Sequence, residues 1–149
     1  MNKEELNQLA LERVENLREH GHFETITITD ERISKNEDPF NKGFYYTQQD
    51  VLNYAYGEIL TDYYTLKAEL KRYIAVRKFQ YKIEAEETKS KVPGNEILED
   101  LVKSEVDELY KAVLILEGWV ERAENSIRTC RSHCYSETTE REDKPEKRE

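Results

Sequence analysis

The sequence lacks any long apolar run, and it contains little glycine, proline or cysteine. No stretch reaches the 18 or so apolar residues that a membrane-spanning helix needs, and the first residues contain no hydrophobic core of a signal peptide. Two cysteines four residues apart, Cys130 and Cys134, are too few for a disulfide framework, which agrees with a reducing compartment. We therefore expect a soluble cytoplasmic protein.

The chain is instead rich in charge. Of its 149 residues 37% are charged, while five glycines and three prolines leave few turns, and this composition is typical of long solvated helices. The net charge of −9 is unevenly distributed, because residues 63–83 contain six basic residues against one acidic residue, a local net charge of +5. A polyanionic partner would therefore have to meet this segment rather than the acidic remainder.

The N-terminal third is predicted to form a short helix, a strand-like arm and a loop. Apolar residues at three- and four-residue spacing predict a helix over 4–20 that ends at Gly21 in a left-handed cap. Residues 23–29 alternate isoleucine with β-branched threonine, which predicts a possible lone β-strand with no partner strand in the chain. Residues 30–46 contain an Asp-Pro pair and a glycine, and they are predicted to form a loop.

A second helix is predicted from Thr47, which forms a capping arrangement with Asp50, to about Lys89. Its apolar and aromatic residues alternate between spacings of four and three, as in a heptad repeat. This row consists of Leu52, Tyr56, Ile59, Tyr63, Leu66, Leu70 and Tyr73.

The heptad row breaks after Tyr73. Val76, Phe79 and Ile83 lie towards the opposite side of the helix at about 100° per residue, so the helix either bends there or meets a different neighbour. A turn is predicted over residues 92–95, where a proline disfavours helix and a glycine allows the chain to reverse.

The third predicted helix, over 96–134, has the most regular heptad pattern. Its row consists of Val102, Val106, Leu109, Val113, Leu116, Val120, Ala123, Ile127, Cys130 and Cys134. β-branched residues at a positions with leucine at d positions favour a coiled coil, and the preceding turn makes helices two and three antiparallel. The predicted fold is mainly α: a long antiparallel helical hairpin or coiled coil with a short N-terminal helix and the strand-like arm.

This pattern divides the chain into three segments. Residues 1–46 form the N-terminal helix, arm and loop, residues 47–135 form the hairpin, and residues 136–149 form a charged tail predicted to be disordered. A hairpin of helices about 60 Å long leaves apolar surface uncovered, so we predict a homo-oligomer that associates through the third helix. Its interface is predicted to consist of Val106, Leu109, Val113, Leu116, Trp119, Val120 and Ile127.

The basic segment contains the best candidate binding site. Four lysines fall within about 60° of one another on the second helix, and we call Lys67, Lys71, Lys78 and Lys82 the basic strip. Tyr64 and Tyr81 flank it, and lysines that neutralise phosphates beside tyrosines that stack on bases suit single-stranded nucleic acid. The alternative is a solvated face whose lysines pair with acidic residues of the third helix, Glu105, Asp107 and Glu108.

Signals for metal binding or catalysis are weaker. Cys130, His133 and Cys134 have the right atoms for zinc, yet both cysteines continue the apolar row, where a free cysteine acts as a small apolar residue. The sequence has no glycine-rich phosphate loop, nucleophile elbow or histidine pair within a helix. We therefore predict a non-enzymatic protein with no metal and no cofactor.

Residues 57–134 contain a long helix with Asp62-Tyr63-Tyr64-Thr65-Leu66-Lys67, a turn, Lys103-Ser104-Glu105-Val106-Asp107, and a heptad helix that ends with Arg122, Arg128 and Arg131. In this organisation they resemble the small helical phage recombination mediators of the UvsY type. If a phage encodes the chain, its expected location is the host cytoplasm. The resemblance implies a ring-like oligomer that binds single-stranded DNA and loads a recombinase onto strands covered by single-strand-binding protein. The positions that it marks as DNA contacts are Lys67, Lys71, Arg72, Lys78 and Lys82.

Two functions follow from the sequence. The first is an oligomeric helical protein that binds single-stranded nucleic acid, in the role of a phage recombination mediator. The alternative is a protein-protein adapter or assembly factor, or an acidic phage inhibitor of a host protein, that does not bind nucleic acid.

Overall fold

The computed structural model describes the backbone of residues 1–147 and the side chains of residues 1–134. This backbone forms five α-helices and no β-strand, and 87% of the chain is helical. The helices are α1 (Lys3–Glu19), α2 (His22–Lys35), α3 (Lys42–Thr88), α4 (Asn95–Glu105) and α5 (Asp107–Lys147). None of the helices within the described residues has an apolar stretch long enough to cross a membrane.

The chain forms two compact units, and α1, α3 and α5 each contribute to both. Unit 1 contains Met1–Asn16 and Thr61–Glu117, so it holds most of α1, the second half of α3, α4 and the start of α5. Unit 2 contains Leu17–Leu60 and Gly118–Glu149, and therefore holds α2 with the first part of α3 and most of α5. The basic strip lies entirely in unit 1.

The predicted helical hairpin is confirmed, since the long helix α3 packs against α5. All ten positions of the heptad row predicted for the third helix are buried, from Val102 to Cys134. In the row of α3 the residues from Leu52 to Leu70 are buried except Tyr56, which is half-buried and donates a hydrogen bond from its hydroxyl to Glu124 at 2.8 Å. The heptad spacing therefore marks the core of the chain.

The predicted strand over 23–29 is wrong, because these residues belong to α2. In a strand Ile26 and Ile28 would share one face, whereas the helix buries Ile26 completely and leaves Ile28 39% exposed. Threonine fits this helix because its hydroxyl can donate to the carbonyl four residues earlier. Thr25, Thr27 and Thr29 do so at 2.8, 3.1 and 2.7 Å.

The loop predicted over 30–46 is also shorter in the structure, since only residues 36–41 separate α2 from α3. Asn41 begins α3 by accepting a hydrogen bond from the backbone N–H of Phe44 at 3.1 Å, as an N-cap residue does. Thr47, predicted as the cap, lies inside the helix and donates to the carbonyl of Gly43 at 3.0 Å. An asparagine six residues upstream thus supplied the helix start.

Residues 89–94 connect α3 to α4, and the left-handed backbone in this connection lies at Lys89 rather than at Gly94. Lys89 has a left-handed backbone (φ 53°), and the N–H of Ser90 donates to the carbonyl of Ala85 at 2.9 Å, as in a Schellman motif. Gly94 has an ordinary φ of −55°. The predicted left-handed cap at Gly21 is confirmed, with a φ of 74°.

The helix predicted over 96–134 is interrupted at Val106, where α4 ends and α5 begins. Val106 has φ −121° and ψ 49°, outside the helical region. The side chain of Asn7 in α1 accepts a hydrogen bond from the N–H of Leu109 at 3.1 Å, which satisfies a free donor in the first turn of α5. A cap that is about 100 residues distant in sequence explains why no local pattern predicts this break.

The backbone of α5 continues to Lys147, through most of the tail that is predicted over 136–149, and the side chains of the tail lie outside the described part of the chain. The disorder predicted for the tail in solution stays a prediction, as does the division into segments 1–46 and 47–135.

Candidate nucleic-acid interface

One face of α3 in unit 1 presents an aromatic ring and two lysines to solvent. Tyr64 is 60% exposed, and Lys71 and Lys82 are also exposed. At about 100° per residue these three side chains lie within about 20° of one another, along about 27 Å of helix. No ion pair is found for Lys71 or Lys82 within the described residues. This face is therefore free to meet an anionic, stackable ligand.

Residues next to this face in the sequence contact other residues of unit 1. Asp62 is buried and forms an ion pair with Arg13 of α1 at 2.9 Å, and Tyr63 is buried beside it in sequence. Lys67 is half-buried, with its ammonium 5.2 Å from the centre of the Tyr63 ring. Of the Asp62-Tyr63-Tyr64 sequence, Tyr64 is the exposed residue, and its ring stacks on the Tyr63 ring with ring centres 5.5 Å apart.

Arg72 and Lys78 are paired with carboxylates. Arg72 forms an ion pair with Glu69 one turn earlier. Lys78 Nζ donates to Glu99 at 3.3 Å and to Asn95 at 3.1 Å, and its side chain is only 19% exposed. Hydrogen bonding from Lys78, with a further contribution from Lys103, holds the pKa of Glu99 below its usual value. Lys78 is the member of the basic strip that an acidic neighbour on α4 neutralises.

Glu105, at the end of α4, binds three side chains of α3. It accepts hydrogen bonds from the Tyr73 hydroxyl at 2.8 Å, from Arg77 Nε at 2.9 Å and from the Tyr81 hydroxyl at 2.7 Å. We call these four residues the Glu105 cluster. Its carboxylate is 18% exposed, and the Arg77 guanidinium also lies 4.3 Å from the centre of the Tyr81 ring. Tyr81, predicted to flank the basic strip as a stacking platform, already stacks on Arg77 and bonds to Glu105.

Burial and hydrogen bonding shift the pKa values of the Glu105 cluster. Burial, followed by the hydrogen bond to Glu105, raises the pKa of Tyr73 to about 12. Burial raises the pKa of Glu105, but hydrogen bonds from Tyr81, Arg77 and Tyr73 together lower it by more. The pKa of Glu105 therefore lies below its usual value. The cluster is therefore a charged, hydrogen-bonded contact between α3 and α4 at neutral pH.

Of the three acidic residues that were considered as partners for the basic strip, only Glu105 is hydrogen-bonded to α3, and it bonds to Arg77 rather than to a lysine. Asp107 forms an ion pair with Lys111 of α5 at 2.7 Å. The acidic partner of Lys78 is Glu99, which the sequence pattern did not single out.

The residues predicted as an oligomer interface lie inside the chain. Val106, Leu109, Val113, Leu116, Val120 and Ile127 are all buried. Trp119 is half-buried, stacked on Phe23 with ring centres 4.8 Å apart. The chain itself covers this face, which removes the reason for placing an interface there, while self-association as such stays a prediction.

A second apolar surface of α3 is uncovered instead. Val76 is 51% exposed, Phe79 65% and Ile83 39%, at positions i, i+3 and i+7 of one helix face, and we call them the outer apolar patch. The heptad break after Tyr73 was the sequence signal for it. Beside Val76, an open groove of about 420 Å³ is lined by Tyr73, Arg77, Gln80, Glu105 and the first three residues.

The candidate zinc ligands lie in unit 2. Cys130 and Cys134 are buried and form no disulfide, and burial raises the pKa of Cys130 to about 11. His133 stacks on Tyr45 with ring centres 4.1 Å apart and has its Nδ1 3.2 Å from the carbonyl of Pro39. Among residues 1–134 no group of three or more possible ligands could hold a metal ion.

The chain matches no protein-family model, no curated protein sequence and no solved structure.

Proposed function

We propose that this protein binds single-stranded nucleic acid, without catalysis, along the face of α3 that carries Tyr64, Lys71 and Lys82. The observation that supports it is the shared face of these three exposed side chains, whose lysines have no ion-pair partner in the described part of the chain. In a helix with acidic neighbours, lysines that remain unpaired are available to phosphates.

The chemistry of this face suits a flexible strand better than a duplex. Two lysine ammonium groups can neutralise phosphates, and the exposed ring of Tyr64 can stack on any base. Neither contact reads base edges, so binding would tolerate any sequence. A mediator that loads a recombinase onto single-stranded DNA, as the resemblance implies, requires such sequence-tolerant binding, and we include this role in the proposal.

The charge of the whole chain sets the expected strength. With a net charge of −9, the surface outside residues 63–83 repels a polyanion, so only a few phosphates can be neutralised. Binding by one copy is therefore expected to be weak and strongly dependent on salt, with an affinity that rises when several copies bind one strand.

The test is fluorescence anisotropy of a labelled oligothymidylate titrated with the full chain at several salt concentrations. Reversing both free lysines, K71E with K82E, should weaken binding at least about tenfold and reduce the slope of log affinity against log salt by about 1.4. The matched control is R32E with K35E on α2, which makes the same change in net charge at two exposed residues outside unit 1. Binding by the control should be nearly that of the wild type.

Two single changes separate stacking from charge. Tyr64→Ala should weaken binding by about five- to 150-fold, which corresponds to the loss of about 1 to 3 kcal/mol for one stacked base, without changing the salt slope. Glu99→Gln removes the carboxylate that holds Lys78, so it should strengthen binding and steepen the slope. If the double lysine variant and its control bind equally, or if the wild type does not bind at low salt, the proposal fails. The protein-protein adapter, which the exposed outer apolar patch favours, would then replace it.

A further inference from the structure

The outer apolar patch is exposed in the described part of the chain, although most of the heptad row of α3 is buried. Val76, Phe79 and Ile83 follow one another at spacings of three and four, as the residues that one helix contributes to a coiled coil do. Phe79 in particular is 65% exposed, and an aromatic side chain with this exposure gains most from being covered. Contiguous apolar patches on a surface commonly mark sites of association.

The charges at the two ends of the patch are opposite. Arg72 lies one turn before Val76 on the same side of α3, and Glu87 lies one turn after Ile83. Both are exposed, and about 22 Å of helix separates them. Arg72 also pairs with Glu69 on the same side of the helix, and its side chain remains 59% exposed, so this end of the patch carries an ion pair with an accessible guanidinium while the other end is negative.

We propose that the outer apolar patch docks on the same patch of a second copy of this chain, with the two α3 helices antiparallel. In this arrangement a two-fold axis passes between residues 79 and 80. Val76 then lies opposite Ile83 of the second copy, the two Phe79 rings meet across the axis, and Arg72 lies opposite Glu87. A parallel arrangement would instead place Arg72 beside Arg72 and Glu87 beside Glu87, so like charges would repel.

Such a surface is complementary to itself, as a two-fold interface requires. A partner with another sequence would need the same arrangement of apolar and charged residues. Three apolar side chains from each copy make a small interface, so the dimer should dissociate on dilution, with a dissociation constant on the order of 10 µM. The dimer itself does not depend on nucleic acid.

One consequence does rest on the proposed function. Lys71 and Lys82 of the basic strip lie about 100° around α3 from the outer apolar patch. A two-fold axis between antiparallel helices is perpendicular to the plane that contains them, so both basic strips would lie on the same side of the pair. The dimer would thus offer one strand two binding faces.

The test is sedimentation velocity of the full chain without nucleic acid, over a concentration range of about 1 to 300 µM. The wild type should shift from monomer to dimer, and Phe79→Asp should raise the dissociation constant at least about tenfold. The matched control is Leu114→Asp on α5, where the side chain is 48% exposed and lies outside the patch. Circular dichroism of both variants should equal that of the wild type, because neither side chain is buried.

A charge exchange tests the orientation with folded protein. Arg72→Glu alone and Glu87→Arg alone should each weaken the dimer, and the double variant should restore it, since each new charge meets its opposite on the second copy. A wild type that remains monomeric at the highest concentration would overturn the proposal and leave the patch to a different protein. A Phe79→Asp variant that dimerises as well as Leu114→Asp, or a double variant weaker than both singles, would overturn it too. Because no nucleic acid is present, none of these results depends on the binding proposed above.

Discussion

Replacing Glu105 removes the acceptor on which α3 and α4 converge. In Glu105→Ala the Tyr73 hydroxyl, Arg77 Nε and the Tyr81 hydroxyl all lose a carboxylate that lies within 2.9 Å of each of them. The carboxylate is 18% exposed, so water replaces it only in part. The donors would then be left to find solvent at the edge of the groove beside Val76.

The expected loss follows from the three hydrogen bonds. A hydrogen bond to a charged group contributes about 1.5 to 3 kcal/mol net, but three bonds that share one acceptor are not additive. Arg77 is 26% exposed at its side chain and Tyr81 is only half-buried, so both donors can recover hydration. We therefore expect Glu105→Ala to lower the free energy of unfolding by about 2 to 3 kcal/mol, close to the value of one such bond.

Urea unfolding followed by circular dichroism measures this loss. With a slope of about 2 kcal/mol per molar urea, the midpoint should fall by about 1 to 1.5 M. The matched control is Glu99→Ala in the same helix. The Glu99 carboxylate pairs with Lys78 and Lys103 at the surface, so the urea midpoint of this variant should be close to that of the wild type. If the two compact units unfold in separate steps, the loss should appear in the step of unit 1, which contains Glu105. Equal midpoints for Glu99→Ala and Glu105→Ala would refute the view that the Glu105 cluster stabilises this unit.

Three further outcomes follow from the same structure. The pKa of Glu105 in the folded chain lies below its usual value. Its contribution to stability is therefore complete above about pH 4.5 and is lost as the pH falls through the folded pKa. The difference in urea midpoint between wild type and Glu105→Gln should accordingly narrow between about pH 5.5 and pH 3. Leu116→Ala empties a fully buried position of α5 and should cost about 2 to 5 kcal/mol in urea unfolding, whereas Leu114→Ala, two residues away and exposed, should change it by less than about 0.5 kcal/mol. Cys130 is buried with a raised pKa, so at pH 8 it should react with a thiol reagent far more slowly in the native chain than in urea, and equal rates would contradict its burial.

Sequence periodicity predicted which residues of the hairpin are buried. The rows of four- and three-residue spacing in α3 and α5 lie in the core because side chains at these spacings share one helix face whatever that face meets. The left-handed cap at Gly21 followed in the same way, since glycine is the residue that adopts this conformation without strain. Both features depend only on local geometry.

Features that depend on distant residues were not predictable from spacing. Alternating isoleucine and threonine is equally compatible with a strand and with α2, and what decides between them is the face that the fold buries, Ile26 rather than Ile28. The break at Val106 depends on Asn7, and the pairing of Lys78 depends on Glu99 across a turn. Of the candidate interface, the lysine positions were therefore predictable but not which lysines remain free.

The heptad rows also carried an ambiguity that burial resolves. A row of apolar residues at this spacing indicates that a helix face is covered. It does not indicate whether the same chain or a second copy covers that face. Here the chain covers the row of α5 itself, from Val106 to Ile127, so regularity of the pattern was no evidence for an oligomer. The informative feature is the break in the pattern after Tyr73, where Val76, Phe79 and Ile83 lie on another face of α3 and are exposed. We therefore expect changes at Phe79 to weaken self-association through α3, and charge changes on the surface of α5 to leave it unchanged.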